Sequence, residues 1–187
     1  MTDKGAADIS TAVFLTSLLI FGAYLVVNFT VDDPFISFRY AKNLSQSNGL
    51  TYNPGERIEG FSNPAWVLLM TAPIPIAERI HPLAILWFAK FLGLILTIGA
   101  CLLIASAEKK LFQRRFPTAA FLFAVNPCVW VWSVGALETP LCAFLLALAV
   151  YDSVPVNREK KRLWGPIAMG ILSITRPEMP ILLAVYI

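Results

Sequence analysis

Two adjacent carboxylates, Asp32 and Asp33, follow the first long apolar stretch of this chain. They open a polar segment, VDDPFISFRYAKNLSQSNGLTYNPGERIEGFSNP, which also carries Arg39, Lys42, Glu56, Arg57 and Glu59. A carboxylate in this setting suits three tasks: taking a proton from a hydroxyl, holding a divalent cation, or capping a helix. Capping needs only one of the two acids. Acids beside an apolar run are costly unless they find partners or do work, and the segment supplies charges of both signs.

The surrounding elements must position this segment. After Asp33-Pro34 comes FISFRYAKNLSQSNG, where proline fits a first helical turn and Asn48-Gly49 a stop. Phe35, Ile36, Phe38, Tyr40, Ala41 and Leu44 give it a broad apolar side, with Arg39 and Lys42 on another. That pattern predicts an amphipathic helix along a membrane surface. Asn53-Pro54-Gly55 and Ser62-Asn63-Pro64 read as turns, and the charges between them read most simply as a solvated loop.

The chain as a whole is too apolar for a water-soluble domain. Of its 187 residues, 57% are hydrophobic and 14% charged, and the mean hydropathy is +0.67. Soluble domains carry about 45–50% apolar and about 25% charged residues. Apolar runs at 11–30, 82–107, 116–137, 140–151 and 164–187 predict about five membrane spans. The proline-broken run 64–77 predicts an interfacial or re-entrant helix. The expected fold is therefore an all-α integral membrane domain over 1–187, with surface helices in a first outer loop at 31–81. The start MTDKGAADIS lacks a basic leader and a small-residue cleavage motif, so 11–30 reads as a retained helix. The basic tracts 108–115 and 157–162 should face the cytoplasm. With 64–77 not spanning, the N-terminus is then cytoplasmic, and Asp32, Asp33 and Glu138 share the outer side. If 64–77 spans, the N-terminus flips.

Other residues exclude classes of chemistry. His81 is the only histidine, so no histidine metal site or Ser/His/Asp triad can form. Cys101, Cys128 and Cys142 lie in apolar runs without metal spacing and read as small core residues. The net charge of +3 sits in short tracts and gives no nucleic-acid signal. Lys90, inside a span near its outer end, either snorkels to the interface or meets an anionic head group. Arg176 and Glu178 flank Pro177 inside an apolar run and should face a protein or water-filled interior. Asn28-Phe29-Thr30 and Asn43-Leu44-Ser45 match a glycosylation pattern but sit against a membrane or in a helix.

The stretch DDPFISFRYAKNLSQSNGLTYNPGERIEGFSNPAW resembles the first outer loop of polytopic membrane glycosyltransferases of the GT-C superfamily. It is most similar to the terminal arabinofuranosyltransferase and lipopolysaccharide-core glycosyltransferase type. GALETPL at 135–141 and TRPE at 175–178 resemble two further landmarks in the same order. The resemblance implies a helix bundle in the cell membrane, of which this chain would be an N-terminal portion. It implies transfer of a sugar from a polyprenyl-phosphate donor to a glycan or lipid acceptor outside the membrane. Asp32 matches the first acid of the motif and is the implied base, with Asp33 beside it. Arg39, Lys42, Arg57 or Lys90 would neutralise the phosphate, with Glu56, Glu59 and Glu138 as further candidates for the substrate site. No cofactor is required, although the two acids could hold a divalent cation. A transporter of lipid-linked sugars and an inactive truncated membrane protein are the alternatives.

Overall fold

The structure, a computed structural model, describes residues 3–56, 58–113, 116–154 and 163–186, with side chains from Asp8 onward. Arg57, Arg114, Arg115 and the second basic tract, 157–162, lie outside the described residues. Among the described residues there are helices and no strands. In order they are α1 (Asp3–Leu25), α2 (Asp33–Ser45), α3 (Pro64–Thr71), α4 (Ile74–Ile80) and α5 (Ala84–Phe112). Then follow α6 (Thr118–Val125), α7 (Pro127–Ser133), α8 (Thr139–Ser153), α9 (Trp164–Ser173) and α10 (Pro180–Tyr186).

Among the described residues two helices are long and apolar enough to cross a membrane, α1 from Asp8 to Leu25 and α5 over its 29 residues. A helix rises about 1.5 Å per residue and a hydrocarbon core is about 30 Å thick. Both helices leave large apolar side chains exposed, among them Phe14, Phe21, Trp87 and Phe91. They run antiparallel, as two contacts show. At one end Lys109 Nζ pairs with Asp8 at 2.6 Å, and at the other Lys90 of α5 reaches the C-terminal end of α1.

Runs 116–137 and 164–187 differ from the expected single helices, whereas run 140–151 forms one helix, α8. Run 116–137 is two short helices, because Pro127 has no N–H to continue α6 and restricts Asn126 to an extended conformation. Asn126 then caps α7, its Oδ1 accepting from Cys128 N at 2.9 Å. Run 164–187 is likewise split into α9 and α10 around Arg176-Pro177. Run 64–77 forms α3 and α4, broken at Ala72-Pro73, and each is too short to span. The first basic tract begins inside α5, not in a loop. Buried Glu108 turns both carboxylate oxygens to the backbone N–H groups of Thr118 and Ala119, capping α6. Cys101 and Cys142 are buried as expected, whereas Cys128 is exposed.

The element that positions the polar segment is a cluster of Phe38, Tyr40 and Ala41 from α2 with Trp66, Val67 and Met70 from α3 and Ile85, Leu86 and Ala89 from α5. So α2 lies on protein through Phe38 and Ala41 and leaves Phe35 and Ile36 outward. Ser47, with φ 63°, is the left-handed residue that ends α2, one position before the Asn48-Gly49 expected to stop it. Asn48 N donates to Asn43 O and Ser47 N to Leu44 O, the paired bonds of a Schellman stop. A side chain at Gly93 of α5 would put its Cβ 2.5 Å from the Ser133 carbonyl oxygen, so glycine there lets the end of α7 and the 134–138 loop sit against α5.

Candidate functional site

Four separated stretches meet at one cavity of about 490 Å³. Asp33 and Ser37 come from α2, Gly60 to Asn63 from the following loop, Leu137 to Thr139 from the start of α8, and Arg176 from the α9–α10 turn. Trp132 of α7 lines one part of the wall. Asp33 and Ser37 are four residues apart and so share a face of α2.

A buried polar chain runs along the wall. Ser37 Oγ donates to Asn63 Oδ1 at 3.1 Å, and Asn63 Nδ2 donates to Glu138 Oε2 at 2.7 Å. Glu138 Oε1 lies 3.2 Å from Arg176 Nε. Arg176 Nε lies equally close to Glu178 Oε1, yet it is aligned to donate to neither carboxylate. Ser37, Asn63 and Glu138 are buried, while the Arg176 side chain is 39% exposed and reaches the cavity. Buried carboxylates are tolerated when paired and hydrogen-bonded, as Glu138 is. The loop that carries Glu138 is held by Trp66, whose Nε1 donates to the Ala136 carbonyl at 3.2 Å. Ala136 is buried and left-handed, with φ 62°, a conformation that costs a non-glycine residue about 1–2 kcal/mol.

Asp33 lines the cavity and Asp32 does not. Asp32 stands at the N-cap position of α2, but its side chain makes no capping hydrogen bond, so the capping explanation fails for it. Glu138 lines the same cavity as Asp33.

The expected phosphate-binding cations are placed elsewhere. Arg39 points along the outer side of α2, where its Nε donates to the Tyr52 carbonyl at 3.1 Å and its guanidinium lies 5.9 Å from the Tyr52 ring centre. Lys42 pairs with Glu78 at 2.6 Å, joining α2 to α4. Glu56 is exposed and accepts from Asn53 Nδ2 at 3.0 Å, and Glu59 is exposed in the same loop. None of these lines the cavity.

Lys90 neither snorkels outward nor faces a head group. Its Nζ donates to the carbonyls of Val27 (2.7 Å) and Phe29 (2.6 Å) and to Thr30 Oγ1 (2.9 Å). An ammonium has three protons, and all three have acceptors. Lys90→Met should therefore destabilise the α1–α5 contact by about 1–3 kcal/mol, because three hydrogen bonds from a charged donor are lost. Unfolding in a mixed-detergent titration measures this, and an unchanged midpoint would deny Lys90 that role.

Ser37, Asn63 and Arg176 are not among the expected site residues. In the sequence Asn63-Pro64 is only a turn signal, and Ser37 is one polar position in an amphipathic helix. Arg176 carries a signal, a charge inside an apolar run. Among the described residues no group of three or more His, Cys, Asp or Glu side chains could hold a metal. Both Glu138 oxygens already have partners, Asn63 and Arg176. Comparison with protein-family models, curated proteins and solved structures finds no significant match.

Proposed function

We propose that this chain acts in the cell membrane as a glycosyltransferase, moving a sugar from a polyprenyl-phosphate donor to a glycan or lipid acceptor on the extracytoplasmic side. One observation carries the reading. The stretches that resemble GT-C landmarks converge on one cavity that holds a carboxylate, Asp33, beside a pair of buried Glu138 and half-exposed Arg176. The resemblance favours the first acid of the motif, Asp32. The cavity favours Asp33, and we assign the base to Asp33.

In the transfer, the Asp33 carboxylate accepts the proton of the acceptor hydroxyl as that oxygen bonds to the anomeric carbon. The bond from the anomeric carbon to the phosphate oxygen breaks, and its electron pair leaves with the phosphate. Attack from the side opposite the phosphate inverts the anomeric centre. The wall is rich in acceptors and hydroxyls, namely Asp33, Glu138, Asn63, Ser62 and Thr139, which suits a ligand bearing several hydroxyl groups.

The reading requires a multi-pass chain with a cytoplasmic N-terminus and the Asp33 end of α2 outside. Single cysteines at Ser47 and Gln113, in a background lacking the three native cysteines, test this. Ser47 should react with an impermeant thiol reagent on intact cells, and Gln113 only after permeabilisation. Labelling of both from outside would refute the arrangement.

A further inference from the structure

We infer that Asn63 is a positioning residue whose hydrogen bonds to Ser37 and Glu138 tie the helix that carries Asp33 to the ion-pair partner of Arg176. The inference deepens the proposed reading, since it concerns how the same cavity is held in shape for a reaction.

Asn63 stands between the two halves. Toward α2, its Oδ1 accepts from Ser37 Oγ at 3.1 Å, on the helical face that also carries Asp33. Toward α8, its Nδ2 donates to Glu138 Oε2 at 2.7 Å, and Glu138 is the buried partner of Arg176. Asn63 is the residue before Pro64 at the start of α3, and Trp66 in the same helix holds Ala136, two residues before Glu138. The Asn63 amide is thus fixed at its root by α3 and uses one donor and one acceptor on opposite partners. An amide offers both from one planar group without a change of protonation. Asn63 stands at the N-cap position of α3, but its side chain makes no cap hydrogen bond there and is committed to Ser37 and Glu138 instead. Arg176 Nε lies 3.2 Å from both Glu138 and Glu178 and is aligned to donate to neither, so its place depends in part on where Glu138 sits. Through Ser37 and Glu138, a shift of Asn63 moves α2 and the guanidinium relative to each other.

The arrangement predicts a specific rescue. In Asn63→Asp, two carboxylates would meet where 2.7 Å now separates donor from acceptor, and their repulsion pushes them apart. In the double variant Asn63→Asp with Glu138→Gln, every bond of the chain can form again. Ser37 donates to the new carboxylate at position 63. The new amide at position 138 donates to the same carboxylate, and its oxygen remains beside Arg176. Only the position of the negative charge has moved.

Two measurements on the full chain in lipid nanodiscs test this. The first needs no activity. Spin labels at Arg39 on α2 and Ile174 after α9, both exposed, report the distance across this tie by pulsed electron resonance. The distribution should be narrow in the parent, broad in Asn63→Asp and narrow again in the double variant. Ser37→Ala, which removes only the α2 end, should broaden it alone. The second is transfer from a polyprenyl-phosphate sugar. Asn63→Asp should lower kcat by about 10–100-fold with donor KM little changed, as misplacement of a reacting group does, and the double variant should recover most of it. A narrow distribution in Asn63→Asp, or a double variant no better than the single, overturns the inference. If the parent transfers no sugar, the proposed reaction fails, and the distance measurement alone decides the role of Asn63.

Discussion

Trp66→Ala is expected to cost about 3–5 kcal/mol of stability, the range for deleting a large buried aromatic side chain. Trp66 is fully buried at the centre of the cluster that seats α2 and α3 on α5. Its indole N–H also holds the Ala136 carbonyl, and Ala136 keeps a left-handed backbone that its own side chain disfavours. Loss of that bond frees the 134–138 loop, so Glu138 and Arg176 should loosen with it. Trp66→Phe keeps most of the apolar volume and loses the hydrogen bond, for which about 1 kcal/mol is expected. Detergent-titrated unfolding separates the two variants. Equal and small effects would mean that the loop is held by something other than Trp66.

Asp33→Asn should lower transfer by about 10²–10⁴-fold, the range for removing a general base. The amide keeps the shape of the side chain and removes its basicity, so donor binding should change little. Asp32→Asn is expected to cost far less, because Asp32 neither lines the cavity nor caps α2. Protein level is checked by immunoblot and turnover by product formation. A silent Asp33→Asn beside a dead Asp32→Asn would return the base to the first acid, where the resemblance puts it.

Much of the helical architecture is legible in the chain, and the reasons are physical. The runs that become α1 and α5 are apolar on all sides and free of internal proline, so their length alone marks them. The polar segment begins its helix at Asp33-Pro34 because proline suits a first turn. The interrupting prolines are visible at 73, 127 and 177, but only Pro73 lies in a run short enough for its break to be read. Pro127 lies inside a run whose apolar composition says nothing about continuity, and so 116–137 reads as one span. The site is half legible. The four stretches carry the right side chains, and Glu138 and Arg176 announce themselves as charges in apolar surroundings. What sequence cannot supply is which face a side chain takes. Arg39 and Asp33 share one helix and point to different sides. Lys90 reads as available in the sequence, yet the carbonyls at the end of α1 and the Thr30 hydroxyl take all its protons. Asn63 reads as turn chemistry because its partners, Ser37 and Glu138, are 26 and 75 residues away.

On the proposed reading, the cavity around Asp33 forms a glycosidic bond outside the membrane. Inverted or right-side-out vesicles with and without the chain, given a polyprenyl-phosphate sugar labelled in the sugar ring, test it most directly. We predict that label passes into an acceptor in a glycosidic bond of inverted configuration, only where the chain is present and only with donor on the outer face, and that Asp33→Asn abolishes it. Label that crosses the bilayer still attached to its polyprenyl phosphate, with no new glycosidic bond, would contradict the account.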